Sequence, residues 1–355
     1  MSESAMRNAV LPLPVTVLTG FLGSGKTTLL GKLLQQPEMA GTAVIINDFG
    51  EIGLDDLLVR QPEKPVLLKN GCLCCTVRGD LAIALQDLML QRAREGYAFR
   101  RVMIETTGLA DPAPIIHTLM TDPGIAGRYR LDGIVTMVDC ANGLATLDRH
   151  PEAVKKAAVA DRLLLTKRDI AGLEEVAHLR ERLGYLNKGA ILIDAKHGEV
   201  TASDVMGLGL YDSRTGRIDA ERWLRAEAYD EAPDHHHCDG AHCGHASHRH
   251  RSTGRHSDGI RSCCLIRERP VAWNDFSGWM ENLVATRSAE LLRVKGIVNI
   301  RECPGEPLVI HGVQHVFHPP VRMDAWPSED RRTRIVLIAR DWDESAIAAQ
   351  FAEMA

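Results

Sequence analysis

The stretch Gly20 to Thr28 reads Gly-Phe-Leu-Gly-Ser-Gly-Lys-Thr-Thr and satisfies the pattern G-x-x-x-x-G-K-S/T. It lies between an apolar run suited to a strand, Val15 to Leu18, and a helix-forming run, Leu29 to Leu34. Strand, glycine-rich turn and helix in that order make a phosphate loop, so the chain is expected to build a mainly parallel sheet covered by helices. Glycines let backbone N–H groups close around phosphate oxygens, and the following helix presents its positive end to them. Gly20, Gly23, Ser24, Gly25, Lys26, Thr27 and Thr28 are therefore assigned to nucleotide binding. Lys26 is given a catalytic role, because it reaches the β- and γ-phosphates, and the Thr27 hydroxyl is also assigned to Mg²⁺.

A second pattern, Cys72-Leu73-Cys74-Cys75, sits between Asn70-Gly71 and Arg78-Gly79-Asp80. Three thiols in four residues suit a soft metal. Thiolates bind Zn²⁺ at about 2.3 Å, and tetrahedral coordination asks for four ligands, which leaves one position open for exchange. Cys72, Cys74 and Cys75 are taken as metal ligands. The plainer alternative is three reduced thiols packed as small hydrophobes, for which a polar loop is a poor setting.

Thr166-Lys167-Arg168-Asp169 follows the buried-strand run Leu163 to Leu165 and has the form of a guanine-reading N/T-K-x-D motif. The Asp169 carboxylate can accept from the N1–H and 2-amino groups of guanine, and the Lys167 stem can lie along the base. GTP is thus favoured over ATP, with Thr166, Lys167 and Asp169 as base-binding residues. The same four residues could simply cap a helix. Their place late in a strand–helix series that begins with a phosphate loop argues for ligand binding.

These segments, together with Asn47-Asp48-Phe49-Gly50-Glu51-Ile52-Gly53-Leu54-Asp55 and Glu105-Thr106-Thr107-Gly108-Leu109-Ala110-Asp111-Pro112, occur in the order found in CobW-type GTPases. The chain resembles that family over nearly its whole length, apart from the first dozen residues and the stretch from about 232 to 260. Thr166 departs from the Asn that many members carry. The resemblance implies a metallochaperone or metal-insertion GTPase, and with it GTP, Mg²⁺ and Zn²⁺ or Co²⁺. It also implies a client metalloprotein as partner. Glu105 becomes the Walker-B-type acid that holds the Mg²⁺ shell or orients water. Asp48 and Glu51 fall where such GTPases carry a nucleotide-sensing switch, and either could ligate Mg²⁺ or complete the zinc site. His117 is a further candidate for a fourth zinc ligand, while Asp139 reads as mainly structural.

Composition narrows the surroundings. At 355 residues the chain is expected to hold two domains, and a net charge of −5 without a long basic run in the folded segments argues against a nucleic-acid partner. The uncharged run Asn8 to Gly25 contains the phosphate loop, which argues against reading it as a membrane span or a cleaved signal, so no membrane partner is expected. Nine cysteines, clustered rather than spread as a framework, suggest a reducing cytoplasm. A homodimer is compatible with these features.

The expected organisation is a flexible N-terminus at 1–12, a phosphate-loop GTPase domain at 13–231, a His/Cys-rich flexible loop or linker at 232–260, and a smaller α+β domain at 261–355. Eight of the fifteen histidines fall between 235 and 256, a density that binds metals weakly or serves as a solvated linker. Strands are expected at Val15–Leu18, Ala43–Ile46, Val66–Leu68, Val102–Ile104, Gly133–Val138, Arg162–Leu165 and Ala190–Ile193. In the last domain one strand run covers Leu308 to Phe317, and its His311, His315 and His318 read as ordinary surface residues. The Leu292-Arg293-Val294-Lys295-Gly296 segment is similar to the family's C-terminal domain. Two other functions fit the motifs less well: a phosphate-loop small-molecule kinase with a structural zinc, and a non-catalytic metal store or sensor switched by GTP.

Overall fold

Apolar, β-branched runs flanked by helical patterns form a doubly wound sheet when both faces are buried. The computed structural model describes residues 12–46, 67–69, 77–95, 99–195, 199–211, 218–229 and 259–354. Seven strands build the first sheet: β1 (Leu13–Gly20), β2 (Thr42–Ile46), β3 (Leu67–Lys69), β4 (Arg101–Glu105), β5 (Tyr129–Asp139), β6 (Arg162–Thr166) and β7 (Ile191–Asp194). Their order is β3-β2-β4-β1-β5-β6-β7, and every neighbouring pair is parallel. Val15, Val17 and Leu18 have no exposed surface, as expected of a central strand covered on both sides.

The helices of this unit are α1 (Lys26–Leu33), α2 (Val77–Glu95), α3 (Ala113–Thr121), α4 (Gly143–Arg149), α5 (Pro151–Val159), α6 (Leu173–Leu186), α7 (Ala202–Val205) and α8 (Ala220–Leu224). They divide the core into separate clusters, one around Val17, Ile45 and Leu85 and another around Leu29, Val44 and Leu164. Among the described residues no helix is long and apolar enough to cross a membrane.

The second sheet comprises β8 (Ile260–Arg267), β9 (Leu291–Val298), β10 (Leu308–Val313), β11 (Val316–Phe317), β12 (Val321–Arg322) and β13 (Thr333–Arg340). It is antiparallel, in the order β11-β10-β9-β13-β8, with β12 on β10. One face packs on α9 (Trp273–Arg287) and α10 (Glu344–Glu353) through Phe276, Trp279 and Phe351. The expected single run from Leu308 to Phe317 is in fact a tight hairpin: Gln314 takes φ 54 and the chain reverses at Gln314-His315.

The two units are joined by charge. Asp161, just before β6, has its Oδ1 2.7 Å from Arg293 Nη2 and 2.6 Å from Lys295 Nζ, both on β9. Arg293 also donates to the carbonyl of Val159 at the end of α5 (2.7 Å), and Lys295 to that of Trp223 (3.0 Å). Burial opposes the Asp161 charge, but Arg293 and Lys295 outweigh it and hold the carboxyl well below the usual carboxylate range. His311 of β10 lies edge-on to Trp223 in the same cluster, and burial with Arg293 nearby holds it well below the ordinary imidazole range.

Candidate nucleotide site and its neighbours

The first strand lies between β4 and β5, so the loops leaving β1 and β4 open a crevice at the carboxyl ends of the sheet, where ligands of such folds bind. The phosphate loop occupies that place. Gly25 has φ 91 and enters α1 directly, a conformation that disfavours any side chain. At Gly20 a Cβ would stand 2.7 Å from the Met137 carbonyl oxygen of β5, so the close approach of loop and sheet requires glycine there. Gly23 also has a left-handed φ, 76°, while Thr28 points outward from the first turn of the helix.

Lys26 is 6% exposed, and its Nζ donates to the carbonyls of Gly20 (3.1 Å) and Phe21 (3.2 Å), which keeps the ammonium inside the curl of the loop. Thr27 donates its hydroxyl to Glu105 Oε1 at 3.0 Å. Glu105 is the last residue of β4 and fully buried, in register with Leu18 of β1. A hydroxyl and a buried carboxylate at a phosphate loop are hard oxygen donors, a set that fits Mg²⁺. Behind them Thr106 bonds the Thr19 hydroxyl (2.8 Å), tying the loop after β4 to the end of β1.

At the carboxyl end of β6, Thr166 closes the strand and is buried. Its hydroxyl donates to the Ser24 carbonyl at 2.9 Å, which joins this segment to the phosphate loop. Lys167 has φ 56, and its Nζ lies 2.9 Å from Asp139 Oδ2. Asp139 also accepts from Ala141 N (2.9 Å) and Asn142 Nδ2 (3.1 Å). Burial opposes its charge, but these bonds, led by Lys167, leave its pKa below the usual value. Asp169 follows on the exposed rim at the carboxyl end of the sheet. Arg168 and Arg180 both pair with Asp194 at the end of β7, bracing the loop.

Lys156 escaped sequence reasoning. It lies on α5, only 1% exposed, and donates to the carbonyl of Gly108 at 2.5 Å in the loop that follows Glu105. Burial, with the Lys26 charge adding to it, lowers its pKa to about 8. The available signal was spacing: Ala153, Lys156, Ala157 and Ala160 recur at helical intervals on one buried face.

Asp48, Glu51, Cys72, Cys74, Cys75 and the histidines from 235 to 256 lie outside the described residues. Among the described residues, no three His, Cys, Asp or Glu side chains stand together as a metal site. His311, His315 and His318 diverge: the first is packed on Trp223, the second lies in the hairpin turn, and the third bonds the Pro319 carbonyl (2.8 Å). His311 is thus part of the junction between the units and not an ordinary surface residue.

A phosphate loop at the switch point of a doubly wound parallel sheet, with an acid at the end of β4, defines a phosphate-loop nucleotide-binding protein carrying a second, antiparallel-sheet unit. Residues 14–194 match the CobW/HypB/UreG nucleotide-binding domain, and residues 260–355 match the cobalamin synthesis protein cobW C-terminal domain. The chain belongs to the CobW family. It is 34% identical to the zinc chaperone YjiA of Escherichia coli, over 96% of this chain and 98% of that protein. It is 30% identical to the zinc-regulated GTPase metalloprotein activator 1 of Schizosaccharomyces pombe, covering 93% of this chain and 83% of the relative. The solved structure of Zn(II)-bound YjiA GTPase from E. coli superposes with a TM-score of 0.69, covering 98% of this chain and 100% of that one.

Proposed function

We propose that this protein is a GTPase zinc metallochaperone that binds zinc at Cys72, Cys74 and Cys75 and delivers it to a client metalloprotein. The observation that carries the reading is its similarity, over 96% of its length, to a relative named zinc chaperone YjiA. The intact phosphate loop supports it independently.

GTP is the substrate. Lys26 would exchange the carbonyls of Gly20 and Phe21 for the β- and γ-phosphates, placing its charge where the transition state needs it. Thr27 and Glu105 would hold Mg²⁺, which when bound neutralises charge on the transferred phosphoryl group. Glu105 alternatively orients the attacking water. Asp169 would read guanine, with Lys167 held in place by Asp139. Thr166 acts by position, linking the base-reading segment to the loop at Ser24.

Zinc is the cargo, and Co²⁺ suits the same thiolates. The segment carrying Asp48 and Glu51 and the thiol triplet would be ordered by bound GTP and relaxed by hydrolysis, so that the metal leaves. The histidine-rich stretch would gather metal locally. The test is to load the purified full-length protein with Zn²⁺ and follow transfer to candidate apo-metalloproteins under GTP, GDP and a non-hydrolysable analogue. Transfer should depend on which nucleotide is bound and should be lost in Cys72→Ser. Transfer at one rate in all three states, or undiminished by Cys72→Ser, would overturn the reading.

A further inference from the structure

Lys156 is buried on α5, and its ammonium reaches out of that helix to the loop between β4 and α3. Nζ donates to the Gly108 carbonyl at 2.5 Å and stands 3.5 Å from the Thr107 carbonyl. Burying an ammonium is unfavourable unless its partners repay the loss of water. The contact with this loop is what repays it here.

The loop is fastened along its length. At its start the Thr106 hydroxyl donates to the Thr19 hydroxyl at 2.8 Å, and Lys156 holds its middle. At its end Asp111 Oδ2 accepts from Gln314 Nε2 (3.3 Å) across the seam between the two units, while Oδ1 accepts from Ala113 N (2.9 Å) at the start of α3. The middle lies directly on the phosphate loop. A Cβ at Gly108 would stand 2.6 Å from Leu22 N, so the approach requires glycine.

Every peptide here is trans, so each N–H points opposite to the carbonyl of the residue before it. With the Gly108 carbonyl drawn onto Lys156, the Leu109 N–H is turned away from the ammonium, and the Thr107 contact turns the Gly108 N–H the same way. Among the described residues neither N–H has an acceptor, although Gly108 is buried. Buried backbone donors without a partner are rare. A ligand oxygen arriving beside Lys26 and Thr27 supplies one. The Lys26 charge also helps to lower the Lys156 pKa, and a polyanion between the two ammonium groups relieves that repulsion.

We propose that Lys156 is a positioning residue for GTP hydrolysis: by holding the Gly108 and Thr107 carbonyls it aims the Leu109 and Gly108 N–H groups at the terminal phosphate of GTP. The inference rests on the GTPase activity and is independent of where zinc binds. Fixed backbone donors act where charge develops on the transferred group, and their aim must be set before the reaction. GDP lacks the terminal phosphate, so Lys156 separates the two nucleotides instead of adding to the binding of both.

The test compares Lys156→Met, which removes the donor, with Lys156→Gln, which keeps a neutral one, in the full-length protein with Mg²⁺. GDP binding is the check on folding. Lys156→Met should bind GDP within about twofold of wild type, bind a non-hydrolysable GTP analogue about tenfold or more weakly, and hydrolyse GTP with kcat lowered by a similar factor. Lys156→Gln should recover part of that kcat, a rescue that a general loss of packing does not give. Unchanged kcat and analogue affinity in Lys156→Met would overturn the inference, as would a kcat in Lys156→Gln no higher than in Lys156→Met. If Lys156→Met loses GDP binding, amide exchange in the wild type decides. The peptide carrying Gly108 and Leu109 should exchange about tenfold more slowly with the analogue than with GDP, and equal exchange would overturn the inference. Wild-type protein that hydrolyses no GTP would count instead against the GTPase reading itself.

Discussion

Lys156 is a residue whose environment departs far from its type. It is a buried cation beside Lys26, held by the Gly108 carbonyl, with its pKa lowered to about 8. A lysine whose folded pKa lies below its unfolded value binds fewer protons in the native state between the two, so stability rises with pH across that window. The window runs from about 8 to the ordinary 10.5, which corresponds to about 3 kcal/mol. Urea unfolding at pH 7.5 and pH 10 should therefore show the wild type gaining on Lys156→Met by an amount of that order. Parallel behaviour of the two proteins would show that Lys156 is not buried as a suppressed cation. Nothing in composition marks this lysine, because a lysine in a helix is ordinarily solvated. Only its spacing with Ala153, Ala157 and Ala160 betrays the buried face.

At the scale of elements, strands and helices were legible wherever apolar periodicity was uninterrupted. The expected strand at Val102–Ile104 sits inside β4, and that at Arg162–Leu165 inside β6, each one residue short at its carboxyl end, where Glu105 and Thr166 stand. The hairpin in the last domain was hidden for a physical reason. Its turn uses Gln314 at a positive φ, where glycine or asparagine is the usual signal, and the cost is borne because Gln314 bonds Asp111 across the seam. The loop after β6 carries the specificity prediction. Asp169→Asn should weaken GTP binding and raise relative affinity for xanthosine triphosphate, whose base offers a carbonyl where guanine offers an amine. Competition binding with the three triphosphates checks this, and equal binding of ATP and GTP by the wild type would remove Asp169 from base recognition.

At the scale of the whole molecule, the two units are fastened by Asp161, Arg293 and Lys295, a contact between positions far apart in the chain that no local pattern announces. The Leu292 to Gly296 segment was noticed only as a family resemblance, and its role follows from where β9 lies. Arg293→Met would leave a buried carboxylate with one cation and orphan the Val159 carbonyl, costing about 3–5 kcal/mol. Denaturant unfolding should show that loss. A cost under about 1 kcal/mol would mean that the junction is wet. Acid should weaken the same junction first: His311 is held neutral, so its contribution is present above the ordinary imidazole pKa and is lost as pH falls through and below it.

In the proposed function, nucleotide and metal binding are coupled. Coupling is reciprocal, so if GTP tightens zinc binding tenfold, zinc must tighten GTP binding tenfold, about 1.4 kcal/mol. The decisive measurement is a pair of titrations on full-length protein, zinc into the GTP, GDP and nucleotide-free forms, and GTP into the zinc-loaded and metal-free forms. Equal and opposite-order factors that vanish in a Cys72→Ser, Cys74→Ser, Cys75→Ser variant are the predicted result. Identical zinc affinity in all three nucleotide states would contradict the account and leave the thiol triplet unconnected to GTP.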